Sequence, residues 1–257
     1  MNPVETTNDG FLNGALTICQ PKTGFRAGSD AVLLAAAVSG TQTILDVGCG
    51  VGTAGLCVLH RLPHAQLWGI ELQQQLYELA VVNAETNGAS ASATFIQADI
   101  GDRTGFRGAK GPGDKPFLEC GFDHVITNPP FYQKGRARAA TSDAKTIAHI
   151  EGDINLNDWL QFCLARTRPK GSLSVIHRAD RLGDILAAIS AGCGQIKIIP
   201  LWPEAAVSAK RVIVQAIKGD RGPMEITRGV ILHEKDGTPT AAADRLLRGG
   251  AALNDLL

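Results

Sequence analysis

The residues with the plainest chemical purpose lie in the run Thr127-Asn128-Pro129-Pro130-Phe131-Tyr132. Asn128 carries a side-chain carbonyl acceptor, and Pro129 offers a backbone carbonyl on a ring-fixed φ. Two such acceptors facing a planar NH2 group take both of its hydrogens. The nitrogen lone pair then leaves conjugation and turns toward an incoming methyl group. Pro130 stiffens the segment, and the Phe131 ring can stack on the flat acceptor. A base inside a duplex could not reach such a site, so it must be flipped out or already single-stranded. The four residues Asn128, Pro129, Pro130 and Phe131 are therefore the candidate catalytic set.

A second group surrounds Leu45-Asp46-Val47-Gly48-Cys49-Gly50-Val51-Gly52-Thr53-Ala54-Gly55. Glycines let the backbone turn sharply and a ligand approach it, and the helix that follows offers unpaired N–H donors. Gly50-x-Gly52-x-x-Gly55 by itself fits a dinucleotide fingerprint, with Glu71 near the spacing of a ribose-binding acid, and equally fits a tight turn with no ligand. Asp46 shifts the balance. A carboxylate just ahead of the glycines would repel a pyrophosphate and suits the amino and sulfonium groups of S-adenosylmethionine. Glu71, ending the next strand, can accept both hydroxyls of a ribose. Asp99, at the end of the one after, can accept from an adenine amino group.

The elements that must hold these residues read as alternating strands and helices. Strands are expected at 43–48, 65–71, 93–99, 123–128 and 172–177, with late strands at 195–202 and 209–219. No helical stretch separates the last two, so they pair antiparallel. Helices are expected at 28–38, capped by Ser29 or Asp30, and at 53–62, 72–88 with Gly88 as C-cap, 156–168 capped by Asn155 or Asn157 and broken by Pro169–Gly171, and 181–192. This order predicts an α/β fold, a doubly wound, mainly parallel seven-stranded sheet with an antiparallel late strand. Ligands bind such sheets beyond the carboxyl ends of the strands, where all of these motifs lie. Residues 1–24 read as polar and irregular, 101–121 as an exposed Gly/Pro/Lys-rich insertion, and the tail from Arg221 as a short hairpin and a helix at 243–249. One domain is expected over 1–257: a segment at 1–40 covering the cofactor, a core at 41–220 and an extension at 221–257.

Lys plus Arg and Asp plus Glu both total 25, so no global field draws the chain to nucleic acid. A nucleic-acid substrate has to rely on local cations: Lys134, Arg136, Arg138 and Lys145 after the Asn-Pro-Pro run, or Arg103, Arg107, Lys110 and Lys115 in the insertion. Six scattered cysteines without a C-x-x-C pair argue against disulfides and zinc, and the six histidines show no metal-ligand spacing, so no metal is expected. The N-terminus has no signal pattern and no apolar run is long enough to span a bilayer, so a cytoplasmic location is expected.

Asp46-Val-Gly-Cys-Gly-Val-Gly52 followed by Asn128-Pro-Pro-Phe131 resembles the class I S-adenosylmethionine-dependent methyltransferases that carry an Asn/Asp-Pro-Pro-aromatic motif. Gln20-Pro-Lys-Thr-Gly-Phe-Arg26, Asp30-Ala-Val-Leu-Leu-Ala35, His177-Arg178 and Val214-Gln-Ala-Ile-Lys-Gly219 are more discriminating. With them nearly the whole chain resembles bacterial tRNA (adenine-N6) methyltransferases acting beside the anticodon of a valine tRNA. It departs from them in the 101–121 insertion and in Phe131, where tyrosine is frequent. The resemblance implies that Asp46, Gly48, Gly50 and Gly52 hold the methionine part of the cofactor, Glu71 the ribose and Asp99 the adenine. It implies that Asn128, Pro129 and Phe131 hold the target, while Phe25, Arg26 and Asp30 close over the cofactor. It implies RNA, tRNA in particular, as partner. Guanine-N2 in rRNA and glutamine-N5 on a protein remain alternatives. The glutamine enzymes usually carry an N-terminal helical domain, for which about 40 residues leave no room.

Overall fold

A computed structural model describes residues 5–40, 42–130 and 154–256 of the chain. It opens with an antiparallel hairpin, β1 (Thr6–Phe11) and β2 (Leu16–Pro21), turned through Leu12 and Asn13 at positive φ. This hairpin occupies the stretch expected to be irregular. In β1 the alternation is half-buried and mostly polar, which hides a strand from a hydrophobic pattern. Helix α1 (Ser29–Ala36) follows. Its N-cap is Gly28 without a side-chain bond, so neither Ser29 nor Asp30 caps it. Asp30 instead points to Arg211.

The next elements run β3 (Thr43–Val47), α2 (Thr53–Arg61), β4 (Gln66–Glu71), α3 (Gln74–Thr86), β5 (Ala93–Gln97) and β6 (Phe122–Thr127). After these come α4 (Leu156–Arg166), β7 (Thr167–Arg178), α5 (Leu182–Ile189), β8 (Cys193–Trp202) and β9 (Arg211–Lys218). The tail adds β10 (Glu225–Ile226), β11 (Val230–Ile231) and α6 (Ala241–Leu247). The main sheet has the order β10-β8-β9-β7-β6-β3-β4-β5, with β11 also on β8. Seven long strands are thus joined by two short edge pieces, and β9 is antiparallel to both of its neighbours, β7 and β8. The fold is the mainly parallel α/β sheet expected. The order reverses direction at β3, and Asp46, Glu71 and Asn128 lie at or just past the carboxyl ends of β3, β4 and β6. That is the switch-point crevice where such sheets take ligands.

Buried strands in a sheet covered on both faces read as continuous apolar runs whose side chains alternate between two cores. Ile44, Ile126, Ile176 and Ile213 face α1 and α2, whose Leu33, Leu34, Leu56 and Val58 join the same cluster. Leu45, Val125, Val175 and Val214 face the other way, against Leu160 and Cys163 of α4 and Ile185 and Ile189 of α5. Asn155 caps α4, accepting from the Asp158 N–H at 3.0 Å, and Gly88 ends α3 at a φ of +67°.

Two further expectations need correction, and a third needs completing. The helix expected to run to Arg168 stops at Arg166, and Pro169–Gly171 lies inside β7. There Lys170 takes a φ of +62° and the register against β6 shifts, so the Pro-Gly punctuation marks a bulge instead of a helix end. The tail strands do not form a hairpin with each other, because both pair in parallel with β8. The 101–121 stretch is exposed over most of its length, but buried aromatics anchor it. Phe106 and Phe117 stack at 5.2 Å between ring centroids, and Phe117 packs on Phe122 of β6 at 5.7 Å. With Cys120 they are buried in the α4–α5 core. Two aromatics among many glycines escape periodicity because the segment folds as 3-10 turns.

Candidate active site

The glycine loop leaves β3 and enters α2, and its conformation is set by what presses on it. Gly48 has a φ of +71°, and a Cβ there would come within 2.8 Å of the Trp159 ring. Gly50 has a φ of +56°, and a Cβ there would lie 2.6 Å from the Phe25 ring. Both positions need glycine for backbone conformation and for the close aromatic contact. The Glu71 carboxylate holds the loop from the β4 side, accepting from the Gly50 N–H at 2.9 Å and the Gln73 N–H at 2.8 Å. Burial raises the Glu71 carboxyl above its usual range, against the pull of those N–H donors.

Asp46 lies beneath the loop at 2 % exposure. The Gly55 backbone N–H bonds its carboxylate, yet Oδ2 has no hydrogen-bond partner among the described residues. Burial pushes its carboxyl up to about 7, opposed by the Gly55 N–H and aided by the negative field of Glu71. Such a group gains from a cation brought beside it. Cys49 is held as a neutral thiol, its ionisation opposed by burial and by Asp46 and Glu71.

Two cavities meet over this loop. The first, about 280 Å³, is lined by Gly48, Gly50, Glu71, Asp99, Asn128, Pro129, Pro130 and Trp159, among others. The second, about 470 Å³, is lined by Arg26, Asp30, Asp46, Gly48, Thr53, Asn128 and Arg211, among others. Gly24, Phe25, Gly48 and Asn128 border both. The structure thus brings Phe25, Arg26, Asp30, Asp46, Gly48, Gly50, Glu71, Asp99, Asn128, Pro129 and Pro130 to one double cavity. Gly52 stands just behind, as the α2 N-cap at φ 84° against the Phe95 ring. Phe131 lies outside the described residues, as do Lys134, Arg136, Arg138 and Lys145. Arg103, Arg107, Lys110 and Lys115 are all exposed, and Lys110 donates to the Asp114 carbonyl of the turn it closes.

Arg26 sits differently from its expected duty. Arg26 lines the second cavity but its guanidinium donates to Asp9 Oδ2 at 2.7 Å, Thr7 Oγ1 at 2.9 Å and the Pro21 carbonyl at 2.6 Å. It ties the hairpin to the strand exit. Asp99 takes the Gly101 N–H on Oδ1 at 2.7 Å and borders the first cavity. His177 is buried, accepts the Arg178 N–H on Nδ1 at 2.8 Å and reaches the Pro130 backbone. Burial, with Arg181 nearby, pushes its imidazole down to about 4, so it stays neutral at ordinary pH.

Three residues escape a reading of the sequence. Trp159 of α4 donates from Nε1 to Thr127 Oγ1 at 2.8 Å, and that hydroxyl donates to the Val47 carbonyl at 2.8 Å. This chain fixes the ends of β3 and β6 at a set spacing under both motifs. Asn83 of α3 accepts the Cys19 N–H at 2.7 Å and donates to the Cys19 and Val51 carbonyls, both at 2.9 Å. It joins the hairpin to the glycine loop and thereby places Phe25 over it. Arg211, at the start of β9, pairs through Nε with Asp30 Oδ2 at 3.0 Å. A tryptophan or asparagine in a helix and an arginine opening a strand carry no motif, so only the fold exposes them.

The remaining test of the site is which buried polar atoms await a ligand. Asp46 Oδ2, Thr53 Oγ1 and Asn128 Oδ1 are buried with no partner among the described residues. Such atoms cost about 1–3 kcal/mol each unless something fills the site. An acid and a hydroxyl in the second cavity, and an amide oxygen between the cavities, fit S-adenosylmethionine: a cation for Asp46, with Glu71 and Asp99 facing the nucleoside half. Among the described residues, no group of three or more His, Cys, Asp or Glu side chains could hold a metal ion, and no helix is long and apolar enough to cross a membrane.

Comparison with known proteins points the same way. Residues 22–149 match the family model described as "Methyltransferase small domain". A Porphyromonas gingivalis protein named tRNA1(Val) (adenine(37)-N6)-methyltransferase is 28 % identical over 242 residues, 89 % of each chain. A protein of the same name from Shewanella baltica is 26 % identical, covering 88 % of this chain and 91 % of that one. The crystal structure of a predicted O-methyltransferase from Agrobacterium tumefaciens superposes with a TM-score of 0.67 at 29 % identity, covering 87 % of this chain and 97 % of that one.

Proposed function

The chain belongs to the methyltransferase small-domain family and uses S-adenosylmethionine, and from that premise we propose that it methylates the exocyclic N6 of an adenine in RNA, tRNA in particular. The carrying observation is Asn128 Oδ1, a buried amide oxygen without a partner among the described residues, set between the two cavities and followed by two prolines. An acceptor so placed is satisfied by an N–H donor, and an amino group donates two. The Pro129 carbonyl would take the second. Bound S-adenosylmethionine supplies the electrophilic methyl group. The chain's own residues do the rest: Asn128 and Pro129 orient the amino group, and Asp46, Glu71 and Asp99 hold the cofactor. The Trp159–Thr127–Val47 chain keeps the two at reacting distance. Phe131 is proposed to stack on the base. The relatives named for adenine-N6 in tRNA support this substrate. The Agrobacterium relative is named for oxygen transfer, but a hydroxyl acceptor would offer Asn128 and Pro129 one hydrogen between them.

The test is incubation with labelled cofactor and bulk tRNA or rRNA from a strain lacking the gene, followed by nucleoside mass spectrometry. Labelled N6-methyladenosine is the expected product. N2-methylguanosine, ribose methylation, or label only in protein overturns the substrate. Asn128→Ala should keep cofactor binding within about threefold and lower transfer by about two orders of magnitude or more. Normal turnover in that variant would remove Asn128 from the mechanism.

A further inference from the structure

The Asn128-Pro129-Pro130 turn has an anchoring problem that its own sequence creates. The ladder of β6 ends at Thr127, opposite Val175 of β7. After Asn128 come two prolines without backbone N–H groups, so their carbonyls are the only main-chain groups by which the fold can hold them. The Pro129 carbonyl is the one assigned to the methyl acceptor above, which leaves the Pro130 carbonyl. β7 runs on to Arg178 after β6 has stopped, and there His177 pairs with Val212 of β9 on its other side. Strand alternation puts the His177 side chain on the same face as Val175, in the core that also holds Trp159. The imidazole is buried, and its Nδ1 accepts the Arg178 N–H at 2.8 Å, so in the neutral ring the proton sits on Nε2. The ring also hydrogen-bonds the Pro130 backbone. Proline has no N–H, so that bond runs from Nε2–H to the carbonyl. Burial, with Arg181 nearby, disfavours the charged ring and so preserves this tautomer.

Resting on the acceptor reading above, we propose that His177 is a positioning residue for the transfer, its Nε2–H holding the Pro130 carbonyl so that Asn128 Oδ1 and the Pro129 carbonyl stay aimed at one amino group. Two side chains divide the task. Trp159 fixes where the turn begins, through Thr127, and His177 fixes where it ends. Each proline ring sets φ and leaves ψ as the soft torsion, and a hold on the Pro130 carbonyl fixes the last ψ of the turn. Asn128 Oδ1 and the Pro129 carbonyl are then left between two clamps to meet a ligand. His177 belongs to the lining of neither cavity described above, so it acts through the turn and touches neither cofactor nor base. Its effect on rate comes from alignment, because about 1 Å of misplacement at a reacting group can cost about a hundredfold.

Two substitutions separate the two ring nitrogens. His177→Asn keeps an acceptor near the place of Nδ1 for the Arg178 N–H and reaches no farther. His177→Gln carries its amide nitrogen near the place of Nε2 and can still donate to Pro130. Both are assayed as full chains, with saturating cofactor and the acceptor that the unaltered protein methylates. His177→Asn should lower kcat by about 10- to 100-fold, and His177→Gln should stay within about fivefold of the parent. Both should bind S-adenosylhomocysteine within about threefold of the parent by calorimetry, which also shows that they fold. Equal kcat in the two variants, whether high or low, overturns the assignment, as does a loss shared equally by kcat and cofactor affinity. NMR of the histidine-labelled parent gives a readout without turnover: His177 should be a neutral ring protonated on Nε2, and a proton on Nδ1 would also overturn the assignment. Label on a group other than adenine N6 overturns the substrate reading instead, and the comparison of the two variants is then made on that group.

Discussion

Asp46 gives the sharpest quantitative expectation, because the same carboxylate should weaken the empty protein and strengthen the loaded one. Its carboxyl stands at about 7 in the fold against 3.8 when free, with burial as the main cause. The folded state therefore holds a proton that the unfolded chain releases between about pH 4 and pH 7. The sign follows: this contribution is present below pH 4 and is lost as pH climbs through 7. The displacement corresponds to about 4 kcal/mol of stability forfeited by pH 8. Asp46→Asn keeps the shape and an oxygen for the Gly55 N–H but cannot ionise. Urea unfolding from pH 4 to pH 8 without cofactor should show the variant pulling ahead of the parent by about 2–4 kcal/mol at the alkaline end. Saturating S-adenosylmethionine should flatten the parent's decline, since a cation beside the carboxylate favours its charged form. The variant should bind cofactor at least tenfold more weakly, about the loss expected for a charged hydrogen bond. Parallel stability curves for the two proteins over this range would refute the buried, ligand-awaiting carboxylate.

Asn83→Ala removes three hydrogen bonds and strands the Cys19 and Val51 backbone, so the fold should lose about 2–3 kcal/mol; hydrogen exchange should show the amides of β2 unprotected, and an unaltered hairpin would count against the clasp. Trp159→Phe keeps most of the ring beside Gly48 but deletes the donor to Thr127, and kcat should fall about tenfold with cofactor affinity nearly unchanged; equal losses in both would mean simple unfolding of the site floor. Phe117→Ala should cost about 3–5 kcal/mol in denaturant unfolding, as for other buried aromatics, whereas a true exposed insertion would tolerate it within 0.5 kcal/mol.

The sheet and the positions of the three acids were legible because continuous apolar runs and glycine punctuation report local geometry directly. Ile44 and Leu45, opposed on one strand, spell a two-faced core without any further information. The hairpin was not legible, since Thr6–Phe11 buries little and its partner strand β2 is held through asparagines more than sixty residues away. Nor was the partnership of Asp30 with Arg211, separated by 181 residues. The cap expected of Asp30 failed for the same reason: a side chain goes to the strongest partner the fold delivers, and the sequence names only the nearest. In the 101–121 segment, composition reported the exposure and left out the anchors. Glycine and proline described its backbone correctly, but Phe106 and Phe117 decided where it lies.

Phe25 has a chemical-biology consequence. Its ring, 47 % exposed, rests on Gly50 at the seam of the two chambers. Small molecules can therefore be found for each chamber independently, a purine-like one and an amino-acid-like one. A tether joining them must lift or skirt a single aromatic side chain, and shortening that side chain should change the reward for linkage while leaving each separate fragment's grip alone.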